Sequence, residues 1–138
     1  MTLTSVLVAV DETPCSAQVI KAIESVQLAA TAKIVLCHVI PTKQLERSAD
    51  LPHRVGSDYP EVMQQLQSYQ ADLNYHSELE ILTGEPATEI VRLANIHHCQ
   101  LILVGSRGLV GIDRIIQGSV SSQVVEEATC SVLVVKTN

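Results

Sequence analysis

The chain of 138 residues contains no tryptophan and no phenylalanine, and only three tyrosines. Its core must therefore be aliphatic, and the aromatic platforms on which single-stranded nucleic acid stacks are nearly absent. Positive charge is also scarce: nine Lys and Arg stand against fifteen Asp and Glu, a formal net charge of −6. Such a balance lacks the basic footprint of a nucleic-acid binder or of a protein held on an anionic membrane. No apolar run approaches the roughly 18–20 residues that a membrane span needs. The first run, Val6 to Val10, is too short for the hydrophobic region of a secretory signal, and no small-residue cleavage site follows it. The four cysteines, Cys15, Cys37, Cys99 and Cys130, form no C-x-x-C pair. They read as reduced thiols in a cytoplasmic protein, with Cys37 and Cys130 serving as small buried hydrophobes.

What is present is apolar and alternating. Hydrophobic residues make up 46% of the chain, enough for one compact domain over residues 1–138. Five aliphatic runs, Ser5–Val10, Lys33–Ile40, Ser77–Leu82, Leu101–Val104 and Val132–Val135, read as strands. The first, fourth and fifth are nearly continuous in Val, Leu and Ile, as strands covered on both faces require. Between them, Ala17–Ala30, Asp58–Leu73, Pro86–Ile96 and Ser119–Ala128 carry apolar residues at helical spacing. Pro14 and Pro86 suit first helical turns, where a missing N–H costs nothing. This alternation predicts an α/β fold, a three-layer sandwich around a parallel sheet. Pro41–Ser57, with its charges and two prolines, reads as a mobile surface loop.

Chemistry concentrates after the fourth strand, where the chain reads Gly105-Ser-Arg-Gly108-Leu-Val-Gly111-Ile-Asp-Arg-Ile-Ile-Gln-Gly118-Ser119-Val120-Ser121. Glycines let a ligand approach the backbone without a Cβ in the way. If Gly118-Ser119 opens a helix, the first N–H groups there lack internal partners and the helix dipole favours an anion. Ser119 and Ser121 add hydroxyls, and Arg107 and Arg114 add charge. The segment thus reads as a phosphate cradle, although glycines in this position also serve merely to turn a chain. Neither G-x-G-x-x-G nor G-x-x-x-x-G-K-[ST] occurs, so a conventional P-loop hydrolase is not indicated. His97-His98-Cys99 has no partner motif at zinc-ligand spacing and reads as a helix end.

Gly105-x2-Gly108-x9-Gly118-Ser119 resembles the G-x2-G-x9-G-[ST] pattern of the ATP-binding branch of the universal stress protein family. The resemblance extends over almost the whole chain: Val6–Asp11 is similar to the family's first strand, His38-Val39 to the end of its second, Gly84–Ala87 to the start of its third helix and Cys130–Val135 to its last strand. It implies a five-stranded sheet of order 3-2-1-4-5, with the ends of strands one and four side by side at the switch point where open sheets bind ligands. It also implies roles by position. Val10, Asp11 and Glu12 line the adenosine side, while Val39 packs on adenine and offers backbone hydrogen bonds. Val104 and Gly105 floor the ribose, and Ser106, Arg107 and Gly108 approach ribose and phosphates. Gly118, Ser119, Val120 and Ser121 hold the phosphate chain of ATP or another adenine nucleotide, with Mg2+ or Mn2+ bridging its oxygens. Asp11 also suits a helix cap before Pro14. Ser131 and Gln117 depart from the family, where proline and a bulky apolar residue are usual.

No residue is assigned a catalytic role. The loop after strand one, Asp11–Ser16, carries neither H-x-G-H nor S-G-G-x-D-S, and no lysine lies in the glycine loop. A nucleotide-dependent switch that a protein partner reads is thus expected before a slow ATPase timer or a sensor of AMP, ADP or cyclic AMP. The resemblance further implies a homodimer through the last strand, Val132–Val135, whose apolar edge invites pairing.

Overall fold

In the computed structural model, the residues described are 2–11, 16–41, 60–106 and 114–136, the side chains of 114–119 excepted. Along the chain these are β1 (Leu3–Ala9), α1 (Ser16–Lys21) with a short 3-10 turn (Ala22–Ser25), β2 (Leu28–Pro41), α2 (Pro60–Ala71), β3 (His76–Gly84), α3 (Pro86–Ile96), β4 (Leu101–Gly105), α4 (Arg114–Glu127) and β5 (Ser131–Val135). The strands form one parallel sheet of order β3-β2-β1-β4-β5. This is the expected α/β sandwich and the expected strand order.

Strand parity builds the two hydrophobic layers. Val6, Val8, Ile34, Leu36, Leu101 and Leu103 face one way, onto Val19, Ile20 and Ile23 of the first helical segment and Val62 and Leu66 of α2. Their neighbours Leu7, Val35, Cys37, Ile102 and Val104 face the other way, onto Ala87, Ile90, Leu93 and Ala94 of α3 and Val124 of α4. Right-handed crossovers demand this division. The chain steps outward from β1 to β2 to β3, then reverses to β4 and β5, so the last two helices must lie on the opposite face. Val6, Leu7 and Val8 are fully buried, which explains why β1 reads as a continuous apolar run rather than an alternating one.

The ends of two helical segments depart furthest from expectation. The first helical segment ends at Ser25 rather than Ala30, and β2 begins at Leu28. Leu3 N–H donates to Gln27 C=O at 3.0 Å, and Leu3 pairs with Leu28. Pairing with β1 therefore claims a stretch that alanine content alone would assign to a helix. Helix α2 spans Pro60–Ala71, and the predicted start at Asp58 lies outside the described residues, as do Pro14 and 42–57 of the predicted loop. Helix α4 begins at Arg114, four residues before the expected glycine. Glycine in a helix interior costs only about 1 kcal/mol relative to alanine, so Arg-Ile-Ile-Gln can extend the helix ahead of Gly118.

The start and end of α3 follow local rules. Pro86 sits in its first turn. Gly84, at φ +145°, occupies a backbone region closed to side chains, and a Cβ there would lie 3.0 Å from Glu89 Cγ. At the other end His98 adopts φ +53°. Its N–H donates to Asn95 C=O at 3.2 Å and the Cys99 N–H to Ala94 C=O at 2.8 Å, the paired bonds of a Schellman turn. His98 is exposed and holds the position usually given to glycine. A left-handed conformation costs a non-glycine residue about 1–2 kcal/mol, partly offset by the greater unfolded-state entropy of glycine. His98→Gly is expected to stabilise the protein by about 0.5–1 kcal/mol, a rise of about 2–4 °C in the midpoint of thermal unfolding followed by circular dichroism. A fall would show that the imidazole stabilises the turn in its own right.

Candidate functional site

The reversal of strand order leaves a crevice where the carboxyl ends of β1 and β4 diverge. A cleft opens there, lined by Ala9, Val10, Asp11, Cys37, Val39, Pro86, Ile90, Val104, Gly105 and Val120. Its enclosed floor measures about 40 Å³, and with the open mouth counted the space is about 430 Å³. Parity explains the lining. Cys37, Val39 and Val104 belong to the layer facing α3 and α4, so they turn towards Ile90 and Val120 on those helices. Val10, which packs in the opposite layer, reaches the cleft at its rim.

Of the residues predicted from sequence, Val10, Asp11, Val39, Val104, Gly105 and Val120 meet in this cleft. Ser106 follows Gly105 directly, but its N–H donates to Val135 C=O at 2.8 Å and so ties β4 to β5. Ser121 is buried within α4. Gly118 and Ser119 lie in the second turn of α4 rather than at its start. Their N–H groups are therefore committed to the helix, and the first-turn donors expected there belong instead to the turn that begins at Arg114. Glu12, Arg107 and Gly108 lie outside the described residues.

Sequence reasoning missed Ala9, Cys37, Pro86 and Ile90 as wall residues. Cys37 was legible in principle, being two residues before Val39 on the same strand face, and Ile90 stands one helical turn after Pro86. Ser16 was missed too. Buried at the first position of α1, its hydroxyl accepts from the Asp11 N–H at 2.8 Å and lies 2.9 Å from Asp11 Oδ1 and 3.1 Å from Asp11 C=O. It thereby ties Asp11, at the mouth of the cleft, to the start of α1. His38, also buried, reaches from β2 with Nδ1 2.9 Å from Val10 C=O.

His97 is engaged elsewhere. Its Nε2 lies 3.3 Å from Glu80 Oε2, and its Nδ1 lies 3.2 Å from Lys33 Nζ and 3.6 Å from Glu78 Oε2. This polar cluster covers the outer part of the sheet near β3. Among the described residues no group of three His, Cys, Asp or Glu could hold a metal ion. A wider hollow of about 380 Å³ lies between the ends of α1 and α2, lined among others by Lys21, Glu24, Tyr69, Asp72 and Tyr75. It lies at the amino ends of β2 and β3, away from the carboxyl ends of the strands, and its charged rim is exposed. The smaller cleft is the better candidate, because among the described residues the carboxyl ends of β1 and β4 meet apolar walls there.

Comparison with known proteins agrees with this geometry. The sequence model of the Universal stress protein family matches residues 2–136. The chain belongs to that family. It is 29% identical over 143 residues to the universal stress protein YxiE of Bacillus subtilis, covering 94% of this chain and 97% of that one. A 57-residue stretch is 47% identical to the universal stress protein MJ0531 of Methanocaldococcus jannaschii, covering 41% of this chain and only 34% of that protein. Among solved structures, MJ0577 of Methanocaldococcus jannaschii superposes with a TM-score of 0.79 at 22% identity, over 100% of this chain and 99% of that one. A universal stress protein in complex with cAMP superposes at 0.70 and 21% identity over 100% of both chains. The universal stress protein from Archaeoglobus fulgidus in complex with dAMP does so at 0.61 and 18%, over 99% of this chain and 100% of that one. At these identities the structures establish a shared fold.

The thiols offer a direct check on the cleft. Burial pushes Cys37 far above the ordinary thiol range, with the nearby Cys99 and Glu80 adding to the effect, and burial also raises Cys99 and Cys130. Since the thiolate is the reactive form, among the three described thiols the partly exposed Cys130 should be alkylated first, Cys99 more slowly and Cys37 only on unfolding. Timed iodoacetamide labelling at pH 8 with peptide mass spectrometry reads the order. Early modification of Cys37 would mean that the cleft floor is open to solvent.

Proposed function

We propose that this protein binds an adenine nucleotide in the cleft between β1 and β4 and acts as a nucleotide-dependent regulatory switch, with ATP as its ligand. The observation that carries the reading is the cleft itself: an apolar slot for a base at the switch point, with Asp11 at its mouth and the glycine-loop strand β4 as its floor. The bound cAMP and dAMP of the two structural relatives support it, since those ligands share the adenine and differ in sugar and phosphate. They also favour a second reading, in which the physiological ligand is another adenine nucleotide.

ATP is preferred because Gly105, Gly108, Gly118 and Ser119 match the spacing of the family's ATP-binding branch. In this reading Val39 lies against adenine, Val10, Asp11 and Glu12 border the adenosine, and Ser106, Arg107 and Gly108 approach ribose and phosphates. Gly118 offers an unobstructed helix surface to the phosphate chain, beside Ser119, Val120 and Ser121. Mg2+ or Mn2+ is held by phosphate oxygens rather than by a protein cage. The protein works in the cytoplasm, and a protein partner reads the nucleotide-ordered loop.

The helical position of Gly118 makes its replacement informative. Valine is better tolerated than glycine inside a helix by roughly half a kcal/mol, so Gly118→Val should fold with unchanged or higher thermal stability. Isothermal titration with ATP, ADP, AMP and cAMP, with and without Mg2+, should show at least tenfold weaker ATP binding in the variant. Equal ATP affinity would remove Gly118 from the site, and a wild-type preference for cAMP or AMP would favour the second reading.

A homodimer through β5 completes the proposal. Val134 is the exposed apolar residue of that edge strand, at 37% of its free surface. Val134→Lys, a gatekeeping charge on an edge, is expected to give monomer by size-exclusion chromatography with light scattering, and a dimer that survives would place the interface elsewhere.

A further inference from the structure

The β1–β2 ladder stops one rung early. Its last pair is Ala9 with Cys37, and the Val10 N–H still donates to Cys37 C=O at 2.9 Å. In a parallel ladder the next bond would run from the Val39 N–H to Val10 C=O. That bond would register Val10 opposite His38, and no such pair forms. The Val10 carbonyl is instead met by the His38 side chain, Nδ1 lying 2.9 Å from it. A carbonyl only accepts, so Nδ1 carries the proton. The same parity that directs Cys37 to β1 directs the Val39 N–H and C=O towards the side where β1 has ended. Val39 is 6% exposed and lines the cleft. A buried backbone donor withheld from its ladder calls for another partner.

We infer that His38 is a positioning residue: by occupying the Val10 carbonyl it keeps β1 from zipping onto β2 and holds the Val39 amide available to a hydrogen-bond acceptor on the edge of a planar heterocyclic ligand. The inference rests on the nucleotide reading for the identity of that ligand. Its structural half concerns the ligand-free protein alone. His38 itself touches no ligand. Its place in the layer facing away from the cleft follows from its even position between Cys37 and Val39, and it acts across the strand through one carbonyl.

Two variants test it. His38→Leu fills the buried space without a donor, whereas His38→Asn restores an N–H at the position of Nδ1. Amide hydrogen exchange of the ligand-free protein, followed by NMR, should show the Val39 N–H at least tenfold better protected in His38→Leu, as it closes onto Val10 C=O, and near the wild-type rate in His38→Asn. Calorimetry should show His38→Leu weakened about tenfold towards adenosine and ATP alike, because both present the same base, and His38→Asn within about threefold of wild type. Circular dichroism confirms that each variant is folded before comparison. Unchanged Val39 exchange in folded His38→Leu, or undiminished adenosine affinity, overturns the inference. If wild-type protein binds no adenine compound, the nucleotide reading fails and the exchange measurement alone decides the role of His38.

Discussion

A parallel strand covered on both faces can send its side chains to only two places, and nearly everything in this protein follows from that restriction. Successive residues of β1, β2 and β4 are sorted by parity into the layer under α1 and α2 or the layer under α3 and α4. Their backbone groups are sorted the same way between left and right neighbours. The reversal of chain direction after β3 then forces β1 and β4, adjacent in the sheet, to send their following segments to opposite faces. The gap that opens is a by-product of topology, and the residues at its rim are whichever ones the strands happen to end on. Asp11, Val39 and Gly105 stand on that rim.

An aliphatic core suits this arrangement. Without Trp or Phe, the layers are filled by Val, Ile, Leu and Ala, whose β-branched members pack well on a pleated surface. The acidic balance of the chain sets a complementary demand. A phosphate ligand gains nothing from the overall field, so whatever holds it must be local: amides, hydroxyls and the few arginines of the loop.

Most of the fold was legible because burial on two faces leaves a strong trace in sequence. Val6–Val10, Leu101–Val104 and Val132–Val135 are short, continuous and aliphatic, and α3 is bracketed by Pro86 and a clear amphipathic stripe. What was illegible was decided by contacts distant in sequence. Leu28–Ala30 looks helical by composition, yet β2 starts at Leu28, which pairs with Leu3 before the register shifts and resumes at Ser5 with Lys33. Asp113, a residue type favoured at helix N-caps, directly precedes Arg114 in the sequence, but the glycine and serines after it drew the expected start of α4 to Gly118. In the cleft, the glycine-bearing strand and Val39 could be found by motif and resemblance, whereas Ser16 and His38 could not. Ser16 meets Asp11 through its hydroxyl alone and His38 meets the Val10 carbonyl from another strand, and neither contact leaves a trace in composition or spacing.

The two margins of the sheet are chemically unlike. On β3, Glu78 and Glu80 stand on one face with Lys33 and His97 drawn to them, while β5 ends the other side with a run of aliphatic residues. If both margins were apolar, the β5 of one molecule could join the β3 of the next, and such head-to-tail addition would continue indefinitely into a filament. The carboxylates of β3 make that margin a poorer neighbour for an apolar strand. In the proposed homodimer β5 would lie against β5, a contact that uses up the same surface on both molecules and therefore stops at two. On that proposal the charges on β3 would act as a chain terminator, limiting the size of an assembly at whose interface they take no part.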